Sequence, residues 1–353
     1  MKTIESSWHV MITQLLNELR CDLTLPKCLQ IVGYLRRMQA FSIPELKLKF
    51  LQQRDCWFRE MLAKMPKNDV YQHLIKTIEV TRVNLFNIIT QYKALFDDDF
   101  TKDSEKKTNL LLCSWLHDKV EDFLRVLETD LSSSYINITD IGSIVGQCMY
   151  FGASFSRIGI DFRAQVAPIF VRAITKNLNL SVMKATKQFE SDIESFTLIN
   201  KELTRNSKKD EESSVSNAPP ESILDFYPLA VYCNELLTIF NELRVCAPFA
   251  CAPTFLTSIE SSLESVAKAI LGFYRSEQQA FNAKEKENFL KLCSCFTYEM
   301  IPYLQSCIIQ IFQLQNYALT NANNIESAIK INTEKATESI AHLLPDKLIS
   351  ASA

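Results

Sequence analysis

GSIVGQCMYFGASFSRIGIDFRAQVAPIF, residues 142–170, carries four of the chain's six glycines, Gly142, Gly146, Gly152 and Gly159. Within it Ile144, Cys148, Phe151, Phe155, Ile158 and Phe162 recur at steps of four and three, the spacing that puts side chains on one stripe of an α-helix. Val145, Met149, Gly152, Ser156, Gly159 and Val166 follow beside them, so one face is bulky and its neighbour small. An interior glycine costs roughly 1 kcal/mol against alanine, hence about 3 kcal/mol for Gly146, Gly152 and Gly159 if the helix runs through all three. Close approach of another helix backbone over the small face would offset that cost. The stretch is therefore expected to be a central helix with others laid against it. Phe151, Gly152, Phe155, Ser156 and Gly159 form its candidate helix-packing or partner face.

The same rhythm continues on both sides and makes the fold class all-α. Upstream, Trp8, Met11, Ile12, Leu15, Leu16 and Leu19 share a helical face, and Cys28, Ile31, Val32, Leu35 and Met38 carry a shorter one. At residues 41–46, FSIPEL, Ser42 and Glu45 have the spacing of a capping box, Phe41 can staple to Leu46, and Pro44 falls where the first turn has no amide partner to lose. Asn68 and Asp69 mark another helix start. Beyond it Leu74, Ile78, Thr81, Leu85, Ile88, Tyr92 and Leu95 alternate steps of four and three without a break, a seam that needs a partner helix. Leu112, Trp115, Leu116, Val120, Phe123, Leu127 and Leu131 rebuild the pattern after a charged stretch at 97–109, which reads as a solvated loop. Downstream, Pro168 is expected to kink or interrupt the glycine-bearing helix, and Ile174, Leu178, Val182, Phe189, Ile193 and Phe196 resume it.

Residues 204–222, TRNSKKDEESSVSNAPPES, hold no aromatic and almost nothing to bury, which marks a disordered linker and a domain boundary. The expected organisation is a helical bundle over 1–203, the linker over 204–222 and a second, smaller bundle over 223–315 with helices at 226–245, 254–274 and 285–312. A tail over 316–353, expected to be weakly ordered or a loosely docked helix, completes it.

Composition narrows the function. With 38 basic against 41 acidic side chains and a net charge of -3, the chain lacks the basic field that nucleic acid requires. Its 11 cysteines are odd in number and sit on apolar faces, as at Cys28, Cys113, Cys148 and Cys307, and no secretory signal stands at the start. They read as reduced cytosolic thiols. No apolar run reaches the ~18 residues of a membrane span, so membrane association is expected to be peripheral.

Candidate chemistry is sparse. His9, His73, His117 and His342 fall in separate segments without the i, i+4 pairing of a helical metal site. Cys293 and Cys295, and Cys246 and Cys251, are not spaced as the pairs of zinc modules are, so no metal is expected. Asp97, Asp98 and Asp99 invite comparison with the magnesium-binding aspartates of helical diphosphate enzymes, but the next aspartate, Asp103, is wrongly placed for it. No glycine-rich phosphate loop or nucleophile elbow is present, and no cofactor is expected. The residues leave three readings: a scaffold, a helical enzyme acting on a diphosphate or lipid, and a module that binds the membrane surface directly.

A family resemblance favours the first. LPKCLQIVGYLRRM (25–38), ELKLKFLQQRDCWFREML (45–62) and HLIKTIEVTRVNLFNIITQYKALF (73–96) resemble the Dor1-like family. The likeness continues through FLRVLETDL (123–131) and GQCMYFGASFSRIGIDFRAQVAPIF (146–170), then returns in LDFYPLAVYCNELLTIFNELRVCAP (224–248) and MIPYLQSCIIQIF (300–312). The resemblance implies elongated, stacked antiparallel helical bundles of the multisubunit tethering type. It also implies other subunits of the conserved oligomeric Golgi complex as partners, with fusion machinery beyond them, on the cytosolic face of the Golgi apparatus. There the family's complex captures retrograde vesicles within the Golgi. The family offers no catalytic residues to carry over. It has a longer amino-terminal helical region, expected to join sister subunits in coiled-coil fashion, so this chain is expected to be a piece lacking it.

Overall fold

The computed structural model describes residues 2–96, 105–133, 136–198, 218–314 and 329–344. Every regular element among them is helical, as the periodicities require. By contact the chain divides into two compact units, residues 1–136 with 143–170, and residues 137–142 with 171–353.

The first unit contains α1 (Lys2–Glu18), α2 (Leu25–Arg37), α3 (Ile43–Ala63), α4 (Val70–Phe96) and α5 (Glu105–Ser133). Most of α6 (Ile138–Ser156) and the first turns of α7 (Arg163–Glu194) also belong to it. α3 starts where the local chemistry demands: the Ser42 amide and hydroxyl donate to the Glu45 carboxylate at 2.9 and 2.8 Å, and Pro44 occupies the first turn. α4 starts on Asp69, whose carboxylate accepts from the Tyr71 amide at 3.0 Å. The seam foreseen on α4 is buried along its whole length, and the rings of Phe50, Tyr92 and Phe96 meet at 5.0 to 6.2 Å between α3 and α4.

Buried polar groups fix how these helices meet. Arg54, 1% exposed, donates from Nη1 to the carbonyls of Leu19 (3.1 Å) and Cys21 (2.6 Å), just past the end of α1, and lies 4.1 Å over the Trp57 ring. An arginine placed there satisfies carbonyls that no amide can reach and puts positive charge at the negative end of the helix dipole. Arg36 does the same for α4 through the Leu95 carbonyl at 2.7 Å, and Gln91 holds the Leu23 carbonyl at 2.8 Å. Lys119 on α5, 3% exposed, sits 2.8 Å from Asp55 and 2.9 Å from Asp122, and the Trp115 indole donates to Asp55 at 3.2 Å. His73 and Asp130 pair at 2.6 Å between α4 and α5. Arg36 is exposed, but Arg54, His73, Gln91 and Lys119 are buried, and a shifted helix would leave each of these four without its partner.

The second unit holds the rest of α7, then α8 (Tyr227–Val245), α9 (Ala252–Glu277), α10 (Ala283–Ser294) and α11 (Ile301–Leu314). The stretch expected as one helix at 285–312 is a continuous helical path with a six-residue π segment, Cys295–Met300, inserted just before Pro302. A widened turn is a recognised way for a helix to absorb an irregularity of this kind. α10 opens on a reciprocal cap, the Glu285 amide donating to Asn282 Oδ1 at 2.9 Å and the Asn282 amide to Glu285 at 2.8 Å. Inside the unit the hydroxyls of Thr186, Ser262 and Tyr232 form a buried chain, each link 2.6 Å.

Two expectations about the glycine-bearing helix need correction. The glycine-bearing helix does not run through Gly159, nor does Pro168 break it: the chain turns before α7, and Pro168 is carried within α7 past its first turn, where the helix continues with one amide hydrogen bond missing. The two compact units meet in sequence inside α6 and α7, because the 32-residue α7 is long enough to contribute to two cores. Of the expected linker, residues 204–217 lie outside the described residues. The tail expected at 316–353 contains a docked segment: the Gln305 side chain bonds both the Ile329 carbonyl (2.8 Å) and the Ile331 amide (2.6 Å), and the Asn332 amide bonds Glu260 at 2.8 Å. Ile329, Ile331 and Ile340 are buried there, and the short α12 (Thr333–Thr337) packs on α9.

Candidate partner-binding surface

The residues of the glycine-bearing face separate into an inner and an outer set. Phe151 and Phe155, each 1% exposed, are taken up inside the first unit. There Phe151 meets Phe155, Phe162 and Phe123 edge-on at 4.8, 4.8 and 5.3 Å, the geometry that ring quadrupoles prefer. Neither phenylalanine is available to a partner in this fold.

Gly152 is buried under Arg163. A Cβ built on it would collide with Arg163 Cγ, so the close approach that this glycine permits is by a side chain from the start of α7, not by a helix backbone. Arg163 is held in that position by Asp161, with its Nε 2.9 Å and its Nη2 2.5 Å from the carboxylate, and its own amide donates to the same group at 3.1 Å. These bonds hold the Asp161 carboxyl well below the usual range, at about 2.

Gly159 closes α6. At φ +89 it sits in the left-handed region, its amide bonds the Ser156 carbonyl at 3.1 Å, and the next amide, that of Ile160, reaches back to the Phe155 carbonyl at 3.1 Å. This pair of bonds is a Schellman motif, which explains why a glycine stands there. Its conformational freedom is used to stop the helix, so the helix-interior penalty does not apply to it. Ser156, half-buried, turns its hydroxyl to the Ala153 carbonyl at 2.9 Å. Gly146 has open space around it, and no neighbour among the described residues offsets its cost.

The face therefore supplies a rigid corner with Ser156 and Gly159 at its accessible end. The aspartates at 97–99 lie outside the described residues. Among those described, no group of three His, Cys, Asp or Glu side chains is placed to hold a metal ion, and no helix is long and apolar enough to cross a membrane. The described histidines and cysteines are used for packing or pairing where they are buried. Burial pushes the Cys148 and Cys293 thiols up to about 12, far from the range of a reactive thiolate.

Accessible apolar side chains lie elsewhere. Trp8, Val10 and Met11 are exposed on α1, Val83 and Phe86 on α4, and Leu180 and Met183 on α7. Sequence periodicity placed Trp8 and Met11 on the apolar stripe of α1, whose outer end the fold leaves exposed, and passed over Val10, Val83, Phe86, Leu180 and Met183, because a large side chain off the main stripe carries no periodic signal of its own. Arg54 and Lys119 were passed over for the converse reason: a charged residue inside an apolar stripe reads as an interruption until its partners are seen.

The model of the Dor1-like family matches residues 1–187 of this chain. A Drosophila melanogaster protein named conserved oligomeric Golgi complex subunit 8 is 46% identical over 366 residues, covering 99% of this chain and 64% of that protein. The Homo sapiens protein of the same name is 37% identical over 361 residues, covering 98% and 59%. The one from Dictyostelium discoideum is 28% identical over 345 residues, covering 89% and 44%. The chain thus spans less than two thirds of the length of these relatives. No solved structure matches it.

Proposed function

The chain belongs to the Dor1-like family, and from that premise we propose that it is a non-enzymatic subunit of a Golgi vesicle-tethering complex, supporting retrograde transport within the Golgi and its organisation. The observation that carries this reading is 46% identity, maintained over 99% of the chain, to a relative named as a subunit of the conserved oligomeric Golgi complex. Its partners are the other subunits of that complex, its place the cytosolic face of the Golgi membrane, and its membrane association indirect. Fusion machinery stands beyond those subunits.

The fold suits such work. Scaffolds act by holding surfaces in a fixed arrangement, and the buried Arg54, Lys119 and His73 pairings lock helix register at the cost of any freedom to slide. Partner contacts fall on the exposed apolar positions and on the accessible end of the glycine-bearing corner, since Phe151 and Phe155 are consumed internally. The tagged chain, expressed in cells and purified, is expected to bring down other subunits of the complex, with a full-length relative as positive control. Recovery of none of them, while the control recovers them, would count against the reading.

A further inference from the structure

The second unit carries a long open groove between α7 and α9. It consists of three adjoining depressions of about 950, 560 and 480 Å³. The first and third share Glu190 and Ser265 in their walls, and the second and third share Asn179, Met183 and Thr254, so the three run into one another. From Thr254 to Ser276 the α9 wall extends about 33 Å at 1.5 Å per residue, the length of a helix of about 20 residues.

Its two walls differ in a way that suits a helix. On α9 the lining positions Ser258, Ser261, Ser265, Ala269, Gly272 and Ser276 follow steps of three and four, giving a continuous strip without bulk. Gly272 stands mid-helix at a cost of roughly 1 kcal/mol, and a Cβ there would touch nothing within 4 Å. Among the described residues no packing explains that glycine, whereas it leaves room for an incoming backbone. On α7 the wall carries the exposed Leu180 and Met183, apolar side chains that the unit does not cover. Thr186 and Ser262 line the third depression, and their hydroxyls, bonded to each other and, from Ser262, to the buried Tyr232, ask nothing of a ligand.

Charge is distributed unevenly along its length. One end is rimmed by Glu190, Glu194, Glu277 and Glu285, against which Lys268 is already paired with Glu264 at 2.6 Å. Towards the other end the ionisable lining residues are Lys187, Lys176 and Arg172, with Glu190 marking the change of sign.

We propose that this groove is a docking site for an amphipathic helix of a partner protein, about 20 residues long, with an apolar face over Met183 and Gly272 and a basic end among the four glutamates. Its opposite end is acidic and lies towards Lys187 and Arg172. The proposal takes from the scaffolding reading only that the partner is a protein. An apolar helix alone would fit the walls, but the charge gradient is what selects among such helices and fixes the direction in which one lies.

The test titrates the whole chain with three fluorescent synthetic helical peptides of 21 residues, identical in their Leu/Ala face. One is flanked by glutamate at one end and lysine at the other, one by glutamate at both, one by lysine at both. The mixed peptide is expected to bind about tenfold tighter than either uniform one, the effect of two or three rim ion pairs. Gly272→Leu, which enters open space and leaves thermal melting unchanged or raised, is expected to weaken the mixed peptide at least about tenfold, the cost of putting a large side chain in the docking path. Glu190→Lys with Glu194→Lys is expected to abolish the preference. Equal binding of all three peptides, binding of none, or indifference to Gly272→Leu would overturn the proposal. So would concentration-dependent dimerisation that Gly272→Leu abolishes, which would assign the groove to a second copy. Co-purification of complex subunits is scored separately with the Gly272→Leu chain, so that loss of peptide binding with subunits retained is distinguishable from failure of the scaffolding reading.

Discussion

Arg163 lies across Gly152 so closely that no Cβ could stand between them, and Asp161 holds the arginine in that position. The contact joins the last turns of α6 to the first turn of α7 over a corner that Gly159 turns. Gly152→Leu is expected to cost about 1–3 kcal/mol, the usual range for overpacking a tight site, and to lower the thermal midpoint accordingly. Gly146→Ala, six residues earlier on the same helix, enters open space and is expected to stabilise by about 1 kcal/mol. Equal effects at the two positions would show that the Arg163 contact does not govern Gly152.

The same corner has a pH signature. The Asp161 carboxyl is depressed to about 2 by its bonds from Arg163. A depressed folded-state value contributes stability that is complete above the ordinary carboxylate range and is lost as pH falls through about 2, so acid should loosen this corner only below about pH 4. Site-resolved titration by NMR is expected to place Asp161 near that value, and Arg163→Gln to return it towards the ordinary range. An Asp161 titrating normally in the unmodified chain would contradict the geometry.

Arg54 is expected to be the costliest single polar position in the first unit. Arg54→Met removes the donors to the Leu19 and Cys21 carbonyls beyond α1 and should destabilise by about 2–4 kcal/mol, measured by denaturant unfolding. Arg54→Lys keeps the charge but not the planar fork or the stacking on Trp57, and should recover only part of that loss. Full recovery by lysine would mean that charge alone is what the site uses.

Thiol reactivity should follow burial. In the native chain at pH 8, maleimide is expected to modify Cys21 and Cys113 first, since both are exposed. Cys28, Cys148, Cys233, Cys251, Cys293 and Cys295 are buried and should be protected until the chain unfolds. Rapid labelling of Cys148 or Cys293, whose thiols burial raises to about 12, would show that the cores around them are open.

Much of this fold could be read from residue spacing, and the reasons for the rest are local. The α4 seam and the starts of α3 and α4 at Ser42 and Asp69 were legible because each depends on residues within one or two turns of each other. The reciprocal cap of Asn282 and Glu285 obeys the same rule. The end of α6 was not legible, since Gly159 continues the apolar stripe and only its positive φ reveals a stop. Where the segment at 329–344 docks was not legible, because its anchors, Gln305 and Glu260, lie far away in sequence. The groove of α7 and α9 was invisible for the same reason. Its small strip lies on α9, while its exposed Leu180 and Met183 and two of its rim glutamates, Glu190 and Glu194, come from α7, about 80 positions earlier, and neither wall taken alone suggests a partner.

The scaffolding account is tested most directly by mass. The chain of 40.5 kDa is coexpressed with the other subunits of the relatives' complex, and the purified assembly is measured by light scattering on a sizing column. The account predicts a single species heavier than this chain that contains at least one of those subunits in fixed ratio. Elution of a folded chain at its own mass, with every other subunit in separate fractions, would contradict it.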